Sequence, residues 1–474
     1  MAASHGLRRF GPAALVTAAL DLVIFVELLV LAALLLGGGF NWAWASTHEA
    51  AKPLLILLAS AAIRVALPVP PYQRAIASRT WYRTTTTARD RVRFPAALRD
   101  VAVAVLVTRT ATVVLAFLGN VILPDNRFRP FALPFHSAKF AEIFAAWDSG
   151  WYFDIARRGY YFNPAGQSSI AFFPLYPLLM RVLAAPFGGS ERAIWIAGVA
   201  ISMAAFVAAL LVLHRFSERV LGDREAARRV ILYVTVFPFS LFFTRVYTES
   251  LFFLLSVLAI ASAYDGRWWW AGLAGALAAL TRSNGILVAL PLACLAVRDR
   301  PGVRALASRA GAIAIVPVGL GLYCAYVYML TGNPLAWLDA QHYWFYSVGD
   351  LPWRRLLSLV SAIEHRGFYD YFFTSIGAPY QFIHGAVAVF VLALIPSIFK
   401  RLGVALGVYT IVSLIVPLSG SDLQGIGRYM SVVFPIFMLL GSIRSQVVHE
   451  AILVISSLFL ALFVTLFVNW YPLY

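Results

Sequence analysis

The stretch AILVISSLFLALFVTLFVNW, residues 451–470, runs for twenty residues without a charge. At 1.5 Å per helical residue that length crosses a bilayer's hydrocarbon core. PAALVTAALDLVIFVELLVLAALLLGGG, residues 12–39, is a second apolar run long enough to cross, with Asp21 and Glu27 inside it, and many similar ones lie between them. The chain therefore reads as an all-α polytopic membrane protein. Barrel strands would alternate in short segments instead, which excludes a transmembrane β-barrel. The first run is too long, and too charged inside, to read as a cleaved signal peptide.

About thirteen crossings are expected, near 12–38, 53–71, 99–123, 193–213, 230–244, 249–264, 268–281, 285–297, 312–330, 380–398, 404–418, 432–443 and 451–470, with one or two of the shorter ones re-entrant. The formal net charge of +16 suggests nucleic acid only until its distribution is read. The arginines cluster in short connections, such as YQRAIASRTWYRTTTTARDRVRF (72–94), HRFSERVLGDREAARR (214–229), RDRPGVRALASRAG (298–311) and KRLG (400–403). With the N-terminus inside, all of these fall on the cytoplasmic face, as the positive-inside rule requires. No nucleic-acid partner is expected. Cys294 and Cys324 lie within apolar runs and read as small buried hydrophobes.

Two long connections, about 124–192 and 331–379, then face outward. Both are rich in aromatic residues and proline, so they are expected to be packed, partly interfacial helices that carry function. The first contains AAWDSGWYFDIARRGYYF, residues 145–162, with Asp148 and Asp154 set among aromatic rings. In an apolar setting Asp148 should titrate higher than usual and could serve as a general base; the alternative is a helix N-cap. Asp154 can pair with Arg157 or Arg158 at i+3 or i+4 and is expected to be structural. Asp21, Glu27, Arg64 and Arg109 lie inside apolar runs and should pair or face inward, as Glu27–Arg64 or Asp21–Arg109 for example.

WDSGWYFDIARRGYYF, FFPLYPLLMRVL, TRVYTESLFFLLSVLAIASAYDGRWWWAGLAGALAALTRSNGILVALPL and GIGRYMSVVFPIFMLLG follow one another in the order found in the PIG-V family. From about residue 100 to 470 the chain resembles these GPI mannosyltransferase II enzymes and their bacterial relatives. The resemblance implies a GT-C glycosyltransferase that takes mannose from polyprenyl-phosphate mannose. Its active site would face away from the cytoplasm, with Asp148 as the catalytic carboxylate, and the transfer would invert to an α-linked product. Residues 96–474 would form this membrane domain. Residues 1–95, with two apolar runs and a basic loop, stand outside the family's usual pattern.

Further candidates are substrate-binding. Glu249 in RVYTES is read as positioning the acceptor, against an ion pair with Arg245. Arg282 and Asn284 in TRSNG, and Arg428 with Tyr429 in GIGRYM, fall at external helix ends. The two guanidiniums suit a lipid phosphate, because their fork matches its oxygens; snorkelling to headgroups is the alternative. Gln341 and His342 could bond a sugar, with Trp344 or Trp353 stacking on it; for the two tryptophans an interfacial aromatic belt is the favoured alternative. No metal set stands out, and no cofactor is expected beyond the lipid-linked donor. The partners expected are that donor, membrane lipids and a glycolipid, glycan or protein acceptor. Preference for arginine over lysine suggests a bacterial plasma membrane. The competing classes are a GT-C enzyme using another polyprenyl-phosphate sugar, a lipid or polysaccharide transporter, and a scaffold in which Asp148 and Arg428 stand far apart.

Overall fold

A computed structural model describes residues 41–42, 45–46, 90–124, 143–344, 351–375, 377–420, 422–471 and 473. The apolar runs at 12–38 and 53–71, with Asp21, Glu27 and Arg64, lie outside the described residues. A two-residue antiparallel pair, Asn41–Trp42 with Ala45–Ser46, precedes an all-helical body.

In chain order the helices are α1 (Asp90–Ile122), α2 (Ser149–Arg158), α3 (Leu175–Ala184), α4 (Glu191–Leu221), α5 (Arg224–Val236), α6 (Glu249–Tyr264), α7 (Trp268–Thr281), α8 (Ala289–Val297) and α9 (Val303–Ile313). They continue with α10 (Val316–Thr331), α11 (Ala336–Gln341), α12 (Arg354–Arg366), α13 (Phe368–Phe372), α14 (Ala378–Leu402), α15 (Val404–Leu418), α16 (Ile426–Ser431), α17 (Phe434–Gly441) and α18 (Gln446–Val468). Among the described residues, five stretches are long and apolar enough to cross a membrane: Ala96–Ile122, Glu191–Leu221, Val303–Thr331, Ala378–Leu402 and Gln446–Val468.

Two expected crossings are corrected. The run at 230–244 is not one helix: α5 stops at Val236 and a 3₁₀ turn takes over at Ser240–Thr244. Pro238 has no amide hydrogen and drives the residue before it out of the α region, so the apolar run continues while the helix does not. At 432–443 only the eight residues of α17 are helical, and eight residues rise about 12 Å, well short of a ~30 Å core.

The two long connections contain helices, as expected: α2 and α3 in the first, α11, α12 and α13 in the second. The first is fastened down by polar bonds. Tyr176 on α3 donates to the Gly198 carbonyl (2.9 Å) and pairs with Ser202 (2.8 Å), both on α4. Arg181 Nε donates to the Ala156 carbonyl at 2.7 Å, joining α3 to α2.

Around this, α6 packs between α4 and α7, and α7 packs on α10. The glycine- and alanine-rich face of α7 is what allows that approach. A Cβ at Gly275 would fall 2.7 Å from Val316 Cγ2 on α10, and one at Gly319 on α10 would fall 2.1 Å from the Ala276 carbonyl oxygen on α7; Gly272 allows the same closeness to α9, where a Cβ would fall 2.0 Å from the Ala312 carbonyl oxygen. Small residues let apolar helices meet backbone to backbone, so van der Waals contact holds them where lipid supplies no hydrophobic drive.

Candidate active site

Asp148 sits where the first long connection turns into α2. The residue before it, Trp147, holds φ at +56°, a left-handed conformation that a bulky side chain adopts only under constraint. Such a residue costs about 1–3 kcal/mol, which the surroundings must offset. Here Trp147 is buried against Trp470, with ring centroids 5.7 Å apart.

The carboxylate of Asp148 does not cap α2. Its Oδ2 accepts from Arg428 Nη1 at 2.6 Å, across 280 residues of sequence. The apolar environment expected around Asp148 is thus corrected: an opposite charge faces it. Arg428 lies on α16, directly after Gly425, whose φ of +80° reverses the chain into that helix.

Glu249 is the first residue of α6 and is fully buried. Its Oε1 accepts from Arg282 Nη1 at 2.5 Å and lies 3.2 Å from Arg428 Nε. The second of these is a charge contact off the N–H axis rather than an aligned hydrogen bond, since Arg428 Nε has no bonded partner. Arg282 follows the last residue of α7. The pairing with Arg245 weighed for Glu249 is not what forms; Arg282 and Arg428 take that carboxylate.

Two guanidiniums and two carboxylates give this cluster a formal charge of zero. Burial opposes the charge on Arg428, but Asp148 and then Glu249 hold its pKa well above the ordinary guanidinium value. Burial likewise opposes Arg282, and Glu249 raises it. Both arginines therefore stay cationic. The Tyr429 ring lies under both, at 4.8 Å from the Arg282 guanidinium and 5.6 Å from that of Arg428. Each is a cation–π contact that fixes the fork in place. The cluster is not sealed: the side chains of Asp148, Arg282 and Arg428 keep 18%, 11% and 11% exposure.

The remaining candidates lie apart from it. Gln341 donates through Nε2 to the Ala171 carbonyl at 3.0 Å, tying the second long connection to the first. His342 is exposed and Asn284 is half-buried in a 3₁₀ segment. Among the described residues, no hydrogen bond or ion pair joins these three to the charged cluster. Trp353 is exposed. Asp154 pairs with Arg158 at 3.4 Å, and Arg157 with Glu191 at 2.5 Å. Arg109 bonds to the carbonyls of Thr235 and Ser240.

Sequence reasoning passed over the residues around Glu249. Thr248 Oγ1 stands 3.4 Å from both Arg282 Nη1 and the Tyr152 hydroxyl, and Tyr247 packs beneath Arg428, 5.4 Å from its guanidinium. Their signal was the same hexapeptide, RVYTES, that drew notice to Glu249.

Residues 102–302 match the family model described as Mannosyltransferase (PIG-V). Over 194 residues the chain is 32% identical to the GPI alpha-1,6-mannosyltransferase 2 of Rattus norvegicus, which covers 38% of this chain and 39% of the relative. The human protein of that name is 29% identical over the same length. The chain thus spans about two-fifths of the length of the curated relatives it matches. Among solved structures it is similar to ArnT from Cupriavidus metallidurans bound to undecaprenyl phosphate, at 16% identity and a TM-score of 0.44, covering 71% of this chain and 59% of that one. Residues 102–302, the segment that supplies Asp148, Glu249 and Arg282 to the cluster, are thus similar to the mannosyltransferase (PIG-V) family model.

Proposed function

We propose that the protein is a membrane mannosyltransferase that moves mannose from polyprenyl-phosphate mannose to an acceptor hydroxyl on the non-cytoplasmic face. The observation that carries this reading is the convergence of Asp148, Glu249, Arg282 and Arg428, from four separate segments, into one charged and partly open cluster. Three of the four lie in the segment that matches the mannosyltransferase family. A scaffold had no need to bring Asp148 and Arg428 together, yet they meet at 2.6 Å.

In the proposed reaction the donor phosphate engages Arg282 and Arg428, whose forks suit phosphate oxygens as well as carboxylates. Arg428 then exchanges part of its bond to Asp148 for one to phosphate. This frees the carboxylate to take the acceptor's proton as its hydroxyl attacks the anomeric carbon. The C–O bond to the phosphate breaks as the new glycosidic bond forms, and the two arginines stabilise the charge that gathers on the leaving phosphate. One displacement inverts the anomeric centre, so a β-linked donor gives an α-linked product. Glu249 holds both guanidiniums in register through Oε1, and its second oxygen, Oε2, is buried without a hydrogen-bond partner. The reaction uses the lipid-linked sugar as co-substrate, and the acceptor is a glycolipid, glycan or protein.

The test is Asp148→Asn in purified protein, given radiolabelled polyprenyl-phosphate mannose and octyl α-mannoside. Donor binding should persist, while transfer falls by about 10²–10⁴-fold, the range for a lost general base. Turnover equal to the parent protein's would remove Asp148 from the reaction.

A further inference from the structure

The cluster's carboxylate is held by a residue that bears no charge. The Tyr247 hydroxyl accepts from the Asp148 backbone N–H at 3.2 Å and donates to the Ala146 carbonyl at 3.0 Å. These two bonds bracket Trp147, the residue held at φ +56°. A single oxygen thus staples both flanks of the left-handed turn that aims Asp148 at Arg428. Arg245, two residues before Tyr247, stands just before a second tie, in which the Val246 N–H donates to the Phe144 carbonyl at 3.1 Å. The segments 144–148 and 245–249 therefore run bonded side by side, one ending in Asp148 and the other in Glu249.

Tyr247 is itself immobilised. It is fully buried, with its ring against Phe242 (5.0 Å) and Phe467 (6.1 Å) and the Arg428 guanidinium over its face. Burial, and then the charge of Asp148, push its phenol well above the ordinary range, so it stays a neutral donor.

We infer that Tyr247 is the positioning residue for Asp148, clamping the Ala146–Asp148 turn so that the carboxylate meets the acceptor hydroxyl in reactive geometry. The role rests on the transfer proposed above. Its contribution is orientation, and displacement of a reacting group by about 1 Å can cost ~10²-fold in rate.

Tyr247→Phe keeps the ring, its packing and its cation–π face, and removes only the oxygen. Two readings are made on the intact protein in detergent. Amide exchange followed by mass spectrometry should show peptides spanning residues 143–151 exchanging faster in the variant, with the rest of the chain unchanged. Transfer from polyprenyl-phosphate mannose to octyl α-mannoside should show kcat reduced ~10–100-fold, while KM for the donor stays within about twofold because the arginines are untouched. Unchanged exchange at 143–151 would overturn the clamp. Faster exchange with unchanged kcat would overturn its role in positioning. If the parent protein transfers no mannose, the proposed function fails, and the exchange measurement still decides the clamp.

Discussion

Two groups of buried arginines in this protein are held in opposite ways. Arg282 and Arg428 meet carboxylates, keep a little exposure and lean on the same tyrosine ring. Arg109 and Arg245 meet no carboxylate among the described residues. Arg109 is satisfied by the carbonyls of Thr235 and Ser240 and the Ser240 hydroxyl. Arg245 is fully buried between the rings of Phe144 and Phe467, with its Nε and Nη2 unbonded. Burial of a cation alone, then, does not mark a reactive site. What sets the first group apart is opposite charge together with partial exposure; under the proposed function, such a pair can be exchanged for a pair with substrate.

The sharpest way to break this contrast is Arg428→Met. It leaves the partly buried Asp148 without its cation and the buried Glu249 with Arg282 alone, and stripping one partner from a fully buried pair costs about 3–5 kcal/mol, an upper bound here. Transfer should fall by about 10²–10³-fold, as when a fixed charge-stabilising donor is removed, and thermal unfolding in detergent should come earlier. A variant that melts with the parent and still transfers mannose would mean that the cluster is incidental.

The second pair of substitutions compares the other two arginines. Arg109→Met takes the guanidinium from the buried Thr235 and Ser240 carbonyls, the first of which keeps the Ser240 hydroxyl as a donor; a lost buried partner costs about 1–3 kcal/mol, so stability should drop while transfer by the folded fraction persists. Arg245→Met exchanges an unpaired buried cation for an apolar side chain, a change that is often neutral or stabilising. Its melting temperature should match or exceed the parent's. A loss as large as that of Arg428→Met would show that pairing is not what distinguishes the two groups.

How much of this was legible in the sequence differs from one residue to the next. The helical membrane character followed from apolar length, and among the described residues the expected crossings at 230–244 and 432–443 failed where composition and geometry part. Phe237 and Phe239 continue the hydrophobic run that Pro238 interrupts, and hydropathy does not register a missing amide hydrogen. Asp148, Glu249, Arg282 and Arg428 were recognisable as candidates because each is a charged residue at the end of an apolar run, within motifs that resemble one family. Their partners were not legible. A guanidinium fork matches phosphate and carboxylate alike, so the motif that suggested a phosphate site did not reveal that Arg428 bridges Asp148 and Glu249. Gln341 illustrates the converse. Its amide suits a sugar hydroxyl and a backbone carbonyl equally well, and the fold gives it the Ala171 carbonyl. Tyr247 escaped notice because its work depends on the left-handed turn at Trp147, and nothing in the residue type announces that backbone angle.

The zero formal charge of the cluster bears on how the proposed enzyme would empty itself. The donor's phosphodiester has one negative charge, whereas the spent carrier is a phosphate monoester with about −1.5 to −2 at neutral pH. A site with two uncompensated arginines would grip that product harder than its substrate and stall. Once Asp148 has passed the acceptor's proton on to solvent or to the phosphate, it and Glu249 can reclaim the guanidiniums, and the spent carrier is traded away for internal partners. Glu249→Gln, which raises the site's charge to +1, should therefore bind polyprenyl phosphate more tightly as a product inhibitor; unchanged inhibition would separate the carboxylates from release. On this view the same two acids that ready the site for arrival also set the dwell time of what is left behind.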